Sequence, residues 1–260
     1  MSAIIIDEGL VHYEALGRGK PVLLLHGWLG SWRYWVPVME ELSVSYRSYA
    51  LDLWGFGDTD RRAGRYDIES YVQLLDNFVE NLGIVHMSLP IVGHALGAVV
   101  AVIWAARNPE RVDRIMAVNM PLEDSAINQR LATAGALNLF DKAFAVQPPD
   151  FAALQLETRK ADEQAITDSV RSVMGLDLFR ALERIEQPVL LVYGTRDDII
   201  TAANGDDVDS DFVRDIHLAD SRHFPMLDER PKFNRLLRDF LVAKDLESLD
   251  VKDEWRRISR

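Results

Sequence analysis

The segment Gly93-His94-Ala95-Leu96-Gly97 carries the strongest chemical signal in this chain. An apolar run, Met87 to Val92, leads into it, and a helical stripe of Leu96, Val99, Val100, Ile103 and Trp104 leads out. Two glycines at a strand-to-helix turn permit a tight, strained backbone that lifts one side chain above a sheet, as a nucleophile elbow does. The usual pattern there is Gly-x-Ser-x-Gly. Here the central residue is Ala95, which has no nucleophilic atom. Taken alone, such a glycine pair serves close packing as readily as catalysis.

Three further segments make the signal specific. His26-Gly27-Trp28-Leu29-Gly30 directly follows the apolar run Val22 to Leu25, where backbone N–H groups can face a developing oxyanion. Gly194-Thr195-Arg196-Asp197 follows the run Pro188 to Tyr193, and Asp197 is placed to orient an imidazole, with Asp198 as the alternative. His223-Phe224-Pro225, ahead of the last helical pattern, supplies a candidate general base. Each has a bland reading of its own: a Gly-rich turn, a surface acid, a solvated histidine. Their order along the chain is what the bland readings do not account for.

That order, elbow at 95, acid at 197 and histidine at 223, resembles the Ser…Asp…His sequence of the α/β-hydrolases, in particular the lid-bearing type with a helical cap. The resemblance runs from about Ala3 to Val242. Asp52-Leu53-Trp54-Gly55-Phe56-Gly57-Asp58-Thr59 also looks like the family's loop after the fourth strand, with Thr59 where Ser is frequent. By resemblance, Asp197 and His223 take the acid and base positions of a catalytic triad. Ala95 takes the nucleophile position, and Trp28 and Leu96 supply the N–H groups of an oxyanion hole. The activity implied is that of a serine esterase working through an acyl-enzyme, with no cofactor.

Ala95 departs from that pattern. Loss of the nucleophile costs a serine protease roughly a millionfold in turnover, or about 8 kcal/mol. The chain is therefore expected to bind substrate without forming an acyl-enzyme. One history is an inactive variant in which Ala95 is an engineered replacement of Ser, favoured by the retained Asp197, His223 and both oxyanion segments. In another, Ala95 is native, and the protein binds a ligand or uses His223 directly as a base. In a third, the residue replaced was the Asp nucleophile of an epoxide hydrolase or haloalkane dehalogenase. That resemblance implies cap tyrosines or a pair of halide donors. Met120 to Gln187 contains no Tyr, Trp or His, and Trp28 is the one evident donor.

The expected substrate is a small to medium apolar carboxylic ester, with lactones and C–C bonds beside a ketone as close relatives. Candidate substrate contacts are His26, Gly27, Trp54, His94, Phe140, Phe144 and Phe224. They lie on segments that should ring the carboxyl end of the sheet, where open α/β folds bind ligands, or roof it. Aromatic stripes at helical spacing are also common in plain core. A dinucleotide or ATP loop is absent, and no His/Glu pair at helical spacing argues for a metal.

Positioning these residues requires an α/β fold. Short apolar runs alternate with helix-period segments, which predicts a mostly parallel central sheet flanked by helices. A hairpin opens the chain over 3–7 and 10–15, with its turn near Glu8-Gly9. Trp32, Trp35, Val36 and Met39 predict one helix; Ile68 to Leu82 and Phe233 to Leu241 predict two more. The rhythm breaks between Met120 and Gln187. The expected division is therefore an α/β-hydrolase core over 1–120 and 188–243, a helical cap over 121–187, and a charged, solvated extension over 244–260.

Composition sets the outer bounds. The chain has 260 residues, 29 Lys+Arg against 41 Asp+Glu, and a net charge of −12. Such acidity repels phosphate backbones, so no nucleic-acid partner is expected. Zero cysteines exclude a disulfide scaffold, a thiol nucleophile and a Cys-based zinc site. No apolar stretch approaches the ~20 residues that span a bilayer, so no membrane association is expected. The start Met1-Ser2-Ala3-Ile4-Ile5-Ile6-Asp7 lacks a basic segment followed by a long apolar run, so a cytoplasmic location is expected.

Overall fold

A computed structural model describes residues 2–133 and 135–250. Eight strands form one sheet: β1 (Ser2–Ile6), β2 (Gly9–Gly17), β3 (Lys20–Leu25), β4 (Tyr46–Leu51), β5 (Leu89–His94), β6 (Val112–Val118), β7 (Val189–Gly194) and β8 (Val213–Leu218). Their spatial order is β1-β2-β4-β3-β5-β6-β7-β8. The β1–β2 and β2–β4 pairings are antiparallel and every later pairing is parallel. All six residues of β5 and of β7 are buried, because helices cover both faces of the sheet and leave no polar side to the strands.

The β1–β2 turn falls at Asp7-Glu8, whose φ values are 47° and 63°. The sequence places it one residue later because Gly9 is the residue best suited to positive φ. Gly9 instead starts β2. The helix expected at Trp32 to Met39 is two pieces, a 3₁₀ turn over Trp32–Trp35 and then α1 (Val36–Leu42). Pro37 sits in the first turn of α1, where its missing N–H costs nothing. α2 (Ile68–Asn81) is capped by Asp67, whose side chain accepts from Ser70 N, and buries Ile68, Tyr71, Leu75 and Phe78 on one face. α3 (Leu96–Arg107) is buried almost all round.

Between β6 and β7 the chain runs through three short 3₁₀ segments and then α4 (Phe151–Thr158), α5 (Glu163–Val173) and α6 (Leu178–Glu183). This insertion is tied to the loops that leave the carboxyl ends of β3 and β4. Thr158 Oγ1 donates to Leu29 O at 3.0 Å, and Asp162 N donates to Gly55 O at 2.7 Å. α7 (Pro225–Asp228) and α8 (Arg230–Val242) complete the core.

The stretch after α8 is not simply solvated. Leu246 and Leu249 are buried, and Arg214 donates to their carbonyls at 2.8 and 3.1 Å. The charge density of 244–260 hides this, because two leucines among acids and lysines give no periodic signal. The rest of that extension, 251–260, lies outside the described residues. Among those described, no helix is long and apolar enough to cross a membrane.

Candidate active site

Ala95 stands between β5 and α3 with φ 46° and ψ −109°. A non-glycine residue there costs of order 1–3 kcal/mol and persists only where its surroundings dictate it. Its neighbours do. A Cβ on Gly93 would lie 2.5 Å from Ala98 Cα, and one on Gly97 would lie 2.4 Å from Leu25 O. Strand, turn and helix are therefore packed backbone to backbone. Ala95 N is held by Val118 O at 2.8 Å, which ties the elbow to the end of β6.

His223 and Asp197 meet as the sequence order implies. His223 Nδ1 is 2.8 Å from Asp197 Oδ2, with side-chain exposures of 0% and 1%. Asp197 Oδ1 accepts from Ile199 N at 2.7 Å, so the carboxylate is fixed at both oxygens. Asp198 points away: its side chain is 62% exposed and lies 3.4 Å from Arg222. With Nδ1–H given to Asp197, His223 presents Nε2 as an acceptor. That atom is buried and has no hydrogen-bond partner.

Trp28 and Leu96 are fully buried, and no hydrogen bond to the backbone N–H of either is found among the described residues. Leu96 is the first residue of α3, so its N–H also carries the positive end of the helix dipole. A Cβ built on Gly27 would lie 2.9 Å from Ala95 Cβ and 3.0 Å from His94 Nδ1, which puts the turn after β3 directly against the elbow.

The other expected contacts divide. Phe144 stacks on Phe224 with centroids 4.6 Å apart, and Phe140 packs edge-on to Phe144 at 5.0 Å. Phe224 in turn meets His223 at 5.3 Å and His94 at 5.2 Å, so these aromatics join the insertion to the histidine loop. His26 corrects the expectation of a substrate contact through its ring nitrogens. Its Nδ1 bonds Gly27 O and its Nε2 accepts from Leu53 N, so both are spent on bracing the loops after β3 and β4. Burial lowers its pKa, which keeps the ring neutral for that role. Trp54 is a second correction. It packs beneath Arg62 and against the position of Gly9, towards the hairpin edge of the sheet.

Four residues at the site are silent in the sequence. Asn119, with φ 44°, accepts from Gly194 N through Oδ1 and donates through Nδ2 to His223 O, joining the ends of β6 and β7 to the histidine loop. Tyr34 joins Gly27 N to His94 Nδ1. Ser169 accepts from Trp28 Nε1 at 2.9 Å. Asp228 accepts from Arg222 N and Ala145 N, clipping the histidine loop to the insertion. Burial raises its pKa to about 6, against the pull of those N–H groups. Only a positive-φ Asn after a strand could have been suspected; the rest depend on contacts far apart in the chain.

For a metal, one group of three among the described residues brings ligand atoms within 4.8 Å: His12, Asp52 and Asp58. Asp52 is already occupied, accepting from His12 Nδ1, Trp32 N and Asp58 N. The group reads as the clamp of the β4 loop. A cavity of about 700 Å³, lined by Lys20, Tyr46, His86 and Arg114 among others, opens at the amino ends of the parallel strands. It touches neither Ala95 nor His223.

A helix-covered, mostly parallel sheet with a strained elbow and an acid–histidine pair at its carboxyl end defines the class. The chain belongs to the alpha/beta hydrolase fold family, whose model matches residues 20–172. It is 25% identical over 280 residues to epoxide hydrolase 3 of Xenopus tropicalis, covering 90% of this chain and 76% of that one. It is 26% identical over 258 residues to the pimeloyl-[acyl-carrier protein] methyl ester esterase of Shewanella woodyi, covering 89% and 97%. The solved enol-lactonase of Burkholderia xenovorans LB400 superposes with a TM-score of 0.81 at 20% identity, over 92% of this chain and 99% of that one, a likeness of fold.

Proposed function

We propose that this chain is a hydrolase of the Ser-His-Asp type for small to medium apolar carboxylic esters, with Ala95 standing where the nucleophile belongs. Lactones and C–C bonds beside a ketone suit the same residues. One observation carries the reading: His223 Nε2 is buried and has no hydrogen-bond partner, and the reading assigns that atom to a serine hydroxyl at position 95. Other buried side-chain atoms are unpartnered too, Trp35 Nε1 and Ser48 Oγ among them; what supports the reading is that this one sits on the ring whose other nitrogen is held by Asp197.

With Ser at 95, the hydroxyl proton passes to His223 Nε2 while Oγ bonds the ester carbon. The carbonyl oxygen becomes an oxyanion facing the N–H groups of Trp28 and Leu96. His223 then gives its proton to the departing alkoxide, leaving an acyl-enzyme that water cleaves by the same steps. With Ala95, binding remains and the first bond cannot form. We read the insertion between β6 and β7 as a cap. A crevice too narrow for a water molecule lies beneath it, between Leu29, Phe144 and Phe224, and Tyr34 and Leu154 part it from an outer groove of about 280 Å³. Leu29, Phe140, Phe144, Leu154 and Phe224 give that crevice an apolar side and Ser31, Glu157 and Thr158 a polar one, and it must open to admit an acyl group.

A second reading keeps Ala95 as native and makes His223 a base towards water or a substrate proton, and the same free Nε2 favours it. The Asp-nucleophile reading finds less support. Trp28 Nε1 is committed to Ser169, and the hydroxyls of Tyr34, Tyr66 and Tyr71 bond His94, Asp162 and Trp54 O. Ala95→Ser tested on short activated esters and on a lactone separates the readings. Turnover that appears only with Ser supports the first. Turnover by the unaltered chain, unchanged by Ser, supports the second.

A further inference from the structure

One continuous line of hydrogen bonds joins the three loops of the site. Gly27 N lies 2.7 Å from Tyr34 Oη, Tyr34 Oη lies 2.8 Å from His94 Nδ1, and His94 Nε2 lies 2.7 Å from His223 O. All four residues are fully or almost fully buried. The direction of this line is forced from both ends. An amide N–H can only donate and a carbonyl can only accept. Tyr34 Oη therefore accepts from Gly27 and spends its single proton on His94 Nδ1. His94 must then carry its own proton on Nε2 and donate it to His223 O. Burial holds Tyr34 protonated and His94 neutral, so neither end of the ring changes role.

We propose that Tyr34 and His94 are positioning residues, forming a one-way relay that sets the turn bearing Trp28 N–H against the loop bearing His223. The relay takes up the Gly27 N–H and both ring nitrogens of His94, which corrects the expectation that these polar atoms contact substrate. Its two termini flank the machinery: Gly27 precedes Trp28, and the carbonyl it reaches belongs to His223 itself. Asn119 Nδ2 donates to that same carbonyl at 2.9 Å, so both of its lone pairs are taken and the histidine backbone has no slack. A shift of about 1 Å at such a site costs on the order of a hundredfold in rate. The inference deepens the hydrolase reading, but its geometry does not depend on what residue 95 once was.

The test is ¹⁵N–¹H NMR of the unaltered chain with labelled histidine and glycine, followed by Tyr34→Phe. The expected His94 spectrum is that of the Nε2–H tautomer, with no titration in the range around the ordinary imidazole value of 6.5. In Tyr34→Phe, the Gly27 amide proton moves upfield and the His94 and His223 ring signals move with it. A His94 that titrates in that range, or is protonated at Nδ1, overturns the relay without any variant having to fold. So does a folded Tyr34→Phe in which the Gly27 and His223 signals stay put. In the Ala95→Ser background, Tyr34→Phe is expected to lower kcat about ten- to a hundredfold with KM little changed. A purely structural role would lower Tm and leave kcat of the folded protein alone. If Ala95→Ser is inactive, the hydrolase reading fails while the NMR still decides the relay.

Discussion

His223 gives one ring nitrogen to Asp197, 2.8 Å away, and has nothing bonded to the other. The pair is sealed from water, so the carboxylate fixes both the tautomer and the ring plane. In the Ala95→Ser background, Asp197→Asn is expected to cut kcat about ten-thousandfold, the loss a serine protease shows when its acid becomes an amide. Steady-state kinetics on an activated ester measures this. A loss below tenfold would mean that Asp197 does not orient the base.

Gly27 leaves no room for a side chain. An added Cβ would press on Ala95 Cβ and His94 Nδ1 at 2.9 and 3.0 Å, both anchored in the elbow. Gly27→Ala is expected to cost about 1–3 kcal/mol by overpacking and to remove turnover in the Ala95→Ser background. Chemical denaturation and kinetics together check it; an unchanged midpoint with full turnover would refute the close approach.

Trp28 reaches across to the insertion through its indole, donating to Ser169 Oγ. Ser169→Ala leaves a buried N–H without an acceptor and should destabilise the chain by about 1–3 kcal/mol. Denaturant midpoints of the two forms give the number. Because the bond fastens α5 over the turn after β3, opening of the insertion, followed by hydrogen exchange, should also speed up.

Asp228 gives the fold a pH dependence with a definite sign. Its pKa is raised by burial from 3.8 to about 6, so the folded chain binds more protons than the unfolded one between those values. Protonation of Asp228 therefore adds stability at low pH that is lost as pH rises from about 4 to about 6. His26 and His94 act in the opposite sense. Burial lowers both below 6.5, so they cost stability as pH falls beneath that value. Subtracting the stability–pH curve of Asp228→Asn from that of the parent isolates the first effect. A flat difference between pH 4 and 6 would show that the carboxyl is not buried as described.

The sheet was legible because its strands are short apolar runs bounded by Gly, Pro and Asp, and the elbow because Gly93 and Gly97 are demanded by backbone contact. That Asp197 and His223 meet was legible from their loops and their order along the chain, through the resemblance those carry. What the residues did not disclose is which side chains hold those loops to one another. Tyr34 lies between Trp32 and Trp35, outside the helical stripe those two begin, where nothing marks its hydroxyl, and Ser169 is one polar residue on an amphipathic helix. His26 misled for a related reason: a histidine beside a Gly-rich turn suggests a ligand contact, whereas both its nitrogens face backbone. Trp54 misled because the loop carrying it bends towards the hairpin.

The central claim is that everything a serine nucleophile needs is assembled around residue 95. Its most direct measurement is intact-mass analysis of folded Ala95→Ser after exposure to a fluorophosphonate. The account predicts one covalent adduct per chain, located on residue 95, with none on the unaltered protein. A correctly folded Ala95→Ser that takes up no probe would contradict it.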